Sequence, residues 1–96
     1  MSAYIIANVT VTDPVQYELY KKLSSQAMVV HGVEVCVRGG KVSVLEGDWR
    51  PDRLVILKFP DVAAAHAFND SPEYAAARRS RQSAATMRMI VVEGVG

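Results

Sequence analysis

The side chains able to do chemistry crowd into one stretch, Arg38–Pro60, with the sequence RGGKVSVLEGDWRPDRLVILKFP. Glu46, at a strand end near the indole of Trp49, can act as a general base or bind a polar substrate. It also follows the valine phase of its strand, so an inward Glu46 needs a partner. Asp48 stands in Gly-Asp-Trp-Arg-Pro-Asp, where an aspartate either meets substrate or holds turn amides. Trp49 suits a pocket wall and a protein interface equally well. Arg38 and Arg53 can grip a carboxylate ligand through forked hydrogen bonds. They can equally pair with Glu46, Asp48 or Asp52.

Outside this stretch the signals are thinner. His31 precedes Gly32 at a helix end, where it serves as a pocket acid or base or satisfies terminal carbonyls. His66 falls in an Ala-rich helix, near its surface. No cysteine or carboxylate stands at ligand spacing from either histidine, so no metal is expected. Tyr17, Tyr20 and Tyr74 either place a hydroxyl in a cavity or fill the core. Arg78, Arg79 and Arg81 approach a helix end, where the dipole favours cations. Cys36, the only cysteine, reads as a small buried hydrophobe. Asn8 lies mid-strand among apolar residues and needs a partner if buried. There is no phosphate-binding loop, dinucleotide fingerprint, G-x-S-x-G or H-E-x-x-H sequence. No cofactor is expected.

Seven elements must position these residues. Ala3–Val11 alternates as a strand. In TDPVQ, Asp13 can cap a helix, Pro14 suits its first turn and Gln16 stands where a capping box needs it. Val15, Leu19, Leu23, Ala27 and Val30 then form one apolar stripe, Glu18 and Lys22 pair at i,i+4, and Gly32 ends the helix. Val33–Glu46 reads as strand broken at Gly39-Gly40. A type I′ hairpin fits there, and so does one long strand with a bulge. The bulged strand is preferred, because GDWRPD already supplies the turn into Arg53–Phe59. Short helices follow over Val62–Phe68 and from Ser71-Pro72-Glu73 to Gln82, then a last strand at Met87–Glu93.

The order β-α-β-β-α-β is the ferredoxin-like split βαβ arrangement, an α+β fold with an antiparallel sheet. Helices cover only one face of such a sheet, yet Ile5/Ile6, Leu54/Val55 and Ile90/Val91 are apolar on both. An open apolar face is a liability in a monomer, so a homodimer joined through its sheet faces is expected. Ninety-six residues make one domain spanning the whole chain. A net charge of +1 argues against a nucleic-acid partner, and no run approaches the ~20 apolar residues of a membrane span. With one cysteine and no signal-like segment, a cytoplasmic protein is expected.

AYIIANVTVTDPVQY, the central RGGKVSVLEGDWRPDRLVILKFP, DSPEYAAARRSRQSA and the closing VVEG resemble a bacterial family of unknown function. That family belongs to the dimeric α+β barrel superfamily, and the similarity spans essentially the whole chain. The resemblance implies a ferredoxin-like protomer and a dimer of packed sheets, with no established activity. It also adds weight to Tyr74, within SPEY, and to Arg81, where the family pattern expects an arginine. The superfamily includes cofactor-independent monooxygenases and plain ligand-binding modules, with a pocket between sheet and helices. Two roles therefore stand open. One is a cofactor-free enzyme on a small organic acid or aromatic metabolite, with Glu46 or His31 as base and Arg38 or Arg53 orienting substrate. The other is a non-catalytic ligand-binding or structural dimer.

Overall fold

The computed structural model describes all 96 residues. In chain order they form β1 (Ala3–Val11), α1 (Pro14–Val30), β2 (Glu34–Arg38), β3 (Arg53–Phe59), α2 (Val62–Asn69), α3 (Pro72–Ser80) and β4 (Ala85–Glu93). The sheet order is β2-β3-β1-β4, antiparallel at every pair. This is the ferredoxin-like α+β arrangement, with the helices on one face of the sheet.

Alternation in β1 sends Ala3, Ile5, Ala7 and Val9 into the core beneath the helices. Their cross-strand partners, Leu57 and Phe59 on β3 and Met89 and Val91 on β4, share that face. The opposite face carries Tyr4, Ile6, Leu54 and Ile56, all half-buried, with Ile90 and Val92 at 62% and 44% exposure. Nothing in the protomer covers it with a helix.

The start of α1 follows its sequence. The Asp13 carboxylate accepts from the backbone N–H groups of Val15 and Gln16 at 3.1 and 3.2 Å. Gln16 does not turn back to close a capping box; its amide donates to the Ser80 carbonyl and ties α1 to the end of α3. The buried stripe of α1 also differs from the expected one. Val15 is 84% exposed and Val30 67%, whereas Tyr17, Tyr20, Ser24, Ala27 and Met28 face inward. Two stripes at helical spacing run along this helix, and the one carrying two aromatic rings offers far more area to bury. Lys21 rather than Lys22 pairs with Glu18, at 2.8 Å.

The largest departure lies in β2. It stops at Arg38, and residues 39–52 pair with no strand, so neither a Gly39-Gly40 hairpin nor a long strand to Glu46 forms. Gly39 takes φ +72, which turns the chain out of extended geometry while its N–H still reaches the Leu54 carbonyl at 2.8 Å. The bulge falls earlier. Val35 stands opposite Leu57 but Val37 opposite Ile56, so Cys36 is the extra residue. Cys36 is exposed, not buried. The last strand begins two residues earlier than expected and the last helix ends two residues sooner.

Candidate functional site

The bulge at Cys36 decides what the pocket contains. Without it, Arg38 would share the face of Glu34, across from the helices. With the register shifted, Arg38 stands opposite Val55 on the helix-covered face. Its guanidinium there donates to the Lys21 carbonyl at 3.3 Å and to the Ser25 hydroxyl. Arg53 opens β3 opposite Val9, also on that face. Its guanidinium lies 5.8 Å above the Tyr17 ring. Gly39 leaves it room, because a β-carbon at that position would collide with the Arg53 head group.

Between α1, the start of α3 and the sheet is a narrow pocket with about 30 Å3 of free interior and an open mouth. Apolar side chains make most of the wall, including Ile5, Leu57, Phe68, Met87 and Met89. Arg38, Arg53 and Lys21 supply three cations, and no aspartate or glutamate lines it. Lys21 has Glu18 as partner, while neither arginine forms an ion pair. The Arg53 Nε is buried without a hydrogen bond. An uncompensated buried donor carries a desolvation cost that an anionic ligand would remove.

Tyrosines from two helices form the other polar part of the wall. Tyr20 and Tyr74 join hydroxyls at 2.7 Å, and the Met87 sulfur lies 4.0 and 3.9 Å from them. Tyr17 stacks on Tyr20 with centroids 5.3 Å apart, and Phe68 lies 5.0 Å from Tyr74. Burial, reinforced by the Tyr74 neighbour, holds the Tyr20 phenol above the ordinary phenol range, with Arg81 pulling weakly the other way. Tyr20 is therefore a neutral donor, not a base.

The expected site residues divide accordingly. Arg38, Arg53 and Tyr74 line one pocket. Glu46, Asp48 and Trp49 lie exposed on the irregular 39–52 segment, outside that lining. An inward Glu46 is thereby overturned. Neither Glu46 nor Asp48 reaches an arginine; Asp52 accepts from the Thr10 hydroxyl at 2.7 Å. His31 bonds Glu73 at 2.7 Å and stands edge-on to Phe68, away from the pocket. Arg81 sits over the Tyr20 ring at 5.7 Å, behind the wall. Arg78 lies over Tyr74 and donates to the Asn69 carbonyl. Lys21, Ser24 and Asn69 are lining residues that the sequence pattern did not single out. The signal for the first two was present: Tyr17, Tyr20-Lys21, Ser24 and Met28 repeat at helical spacing beside the more obvious apolar stripe.

No group of histidine, cysteine and carboxylate side chains is placed to hold a metal ion. No helix is long and apolar enough to cross a membrane.

Residues 2–95 match the family model described as Domain of unknown function DUF1330. The chain belongs to the DUF1330 family. No functionally curated protein matches it. Among solved structures, the DUF1330 chain is similar to the RPA0582 protein of unknown function from Rhodopseudomonas palustris, at 23% identity and a TM-score of 0.74. That match covers 99% of this chain and 83% of the other. A dimeric ferredoxin-like protein of unknown function from Bacteroides fragilis aligns over 97% and 96% of the chains, at 11% identity and a TM-score of 0.64. SnoaB, a cofactor-independent oxygenase from Streptomyces nogalater, aligns over 99% and 94%, at 10% identity and a TM-score of 0.64. At these identities the likenesses establish the ferredoxin-like fold of the DUF1330 chain and not its chemistry.

Proposed function

We propose that this DUF1330 chain is a cytoplasmic one-domain protein that binds a small organic acid in the pocket between α1, α3 and the sheet. One observation carries the proposal: Arg38 and Arg53 converge on an apolar-walled cavity that holds no carboxylate. The free interior holds about one water, so an apolar body would enter beside Leu57 and Phe68 by displacing the adaptable Met87 and Met89 side chains, and the acid group would meet the arginines. Arg53, half-buried, and Arg38, exposed at the pocket's edge, favour a delocalised, bidentate anion over a neutral ligand.

Homodimerisation through the open sheet face belongs to the same proposal. Leu45 at 95% and Trp49 at 63% exposure add apolar surface on the 39–52 segment that a second copy would cover. Catalysis is the less supported role. The pocket's titratable side chains are three tyrosines, a lysine and two arginines, and neither a histidine nor a carboxylate, the commonest general bases, lines it. A cofactor-free reaction would need a base such as Glu46 from a partner copy.

Calorimetric titration with a panel of small aliphatic and aromatic carboxylates tests the proposal. Binding to the wild type is expected, weakening about tenfold or more in Arg53→Gln, because a hydrogen bond to a charged group is worth about 1.5–3 kcal/mol. A wild type that binds no member of the panel defeats it.

A further inference from the structure

We infer that the Tyr20–Tyr74 hydroxyl pair is a second recognition point in this pocket, reading a neutral oxygen on the ligand, so that the ligand class narrows to hydroxy- or oxo-substituted carboxylic acids with an apolar body. The inference rests on the anion-binding role proposed for Arg38 and Arg53.

Hydrogen-bond bookkeeping carries it. Two hydroxyls 2.7 Å apart share one proton between them, and the accepting phenol keeps an O–H of its own. Within the protein, the acceptor offered to that second proton is the Met87 thioether, at 4.0 Å from Tyr20 and 3.9 Å from Tyr74. A thioether is a weak acceptor. The pair therefore presents a donor, together with free oxygen lone pairs, on a wall that is otherwise largely hydrocarbon. A ligand hydroxyl or carbonyl oxygen is the partner that this surplus fits.

Packing alone does not call for these hydroxyls. Both rings are almost fully buried, Tyr20 at 6% and Tyr74 at 3% exposure, and phenylalanine would fill the same space with no polar atom to desolvate. The rings are also fixed from several sides. Tyr17 stacks on Tyr20, Phe68 lies against Tyr74, and Arg81 and Arg78 cover the remaining ring faces at 5.7 and 5.1 Å. A donor held in place before binding loses little freedom when a ligand arrives. Burial keeps Tyr20 protonated, so the pair meets a neutral oxygen and leaves the negative charge to the arginines. Met87 and Met89 supply an adaptable wall between the two polar ends.

Calorimetry with matched probes tests this: benzoate against the ortho, meta and para hydroxybenzoates, and pentanoate against laevulinate, its oxo analogue. In the wild type, at least one oxygen-bearing probe should bind about three- to tenfold more tightly than its parent acid, the gain of one neutral hydrogen bond. With both hydroxyls removed in Tyr20→Phe/Tyr74→Phe, no oxygen-bearing probe should bind more tightly than its parent acid in the same variant. Equal affinity of every probe and its parent in the wild type overturns the inference and leaves the anion pocket standing; that comparison needs no variant to fold. A gain that survives both substitutions also overturns it. Failure of all probes, parents included, removes the anion pocket and the inference with it.

Discussion

Tyr20 shows how one buried hydroxyl can be followed without a ligand. Its folded-state affinity for a proton is raised, chiefly by burial, above the ordinary value near 10. A raised folded value means a contribution to stability that is fully present below pH 10 and is lost above it. There the unfolded chain releases the Tyr20 proton and the folded chain keeps it. Each pH unit in that window removes up to about 1.4 kcal/mol for one proton. Tyr20→Phe loses this proton from the balance, so its stability should fall less steeply between about pH 10 and 11.5 than that of the wild type. Urea midpoints across that range check the difference; parallel curves would mean that Tyr20 ionises in the folded state. At neutral pH the variant should be destabilised modestly, by about 1 kcal/mol, through the hydrogen bond lost to Tyr74.

At the scale of elements, the β2–Gly39 corner does more for the pocket than its length suggests. The bulge turns Arg38 to the helix side, and the positive φ of Gly39 both ends the strand and clears space for Arg53. Gly39→Ala should cost about 1–2 kcal/mol for a left-handed non-glycine residue and push the flexible Arg53 head group aside. A drop of several degrees in Tm together with weakened carboxylate binding is expected; lost stability with unchanged binding would show that Arg53 finds its place by another route. Strand and helix identities were legible in the sequence because alternation, Asp13-Pro14 and Ser71-Pro72 are local signals. The place of the bulge was not, since Val33, Val35 and Val37 alternate straight through Cys36 and the break in valine phase falls at Gly39-Gly40 instead. Glu46 was misplaced because it was read as the end of that strand, and the strand stops eight residues before it. The buried side of α1 was read in part: Leu23 and Ala27 of the expected stripe meet the core, but hydropathy also chose Val15, Leu19 and Val30, which are exposed, over Tyr17, Tyr20 and Met28.

For the whole molecule the unsettled surface is the sheet face away from the helices. Its central strands contribute Ile6, Leu54 and Ile56, and β4 adds Ile90 and Val92. Fully burying an exposed side chain of this size is worth roughly 1.5–3 kcal/mol; in the proposed dimer a two-fold axis would bring each residue in twice, and that gain would be set against the cost of association. Ile90→Asp is the discriminating substitution. Ile90 is 62% exposed in the protomer, so an aspartate there should disturb the fold by less than about 0.5 kcal/mol. In a face-to-face dimer it would be desolvated in both copies and repelled by its symmetry mate, at a cost of several kcal/mol. Light scattering should therefore give twice the 10.5 kDa chain mass for the wild type and the single chain mass for Ile90→Asp, with circular dichroism unchanged. A variant that stays dimeric would move the interface to the exposed apolar side of α1, where Val15, Leu19 and Val30 stand out from the fold. A monomeric wild type would mean that the open face is tolerated bare, held in solution by the Lys58 and Arg88 side chains that share it.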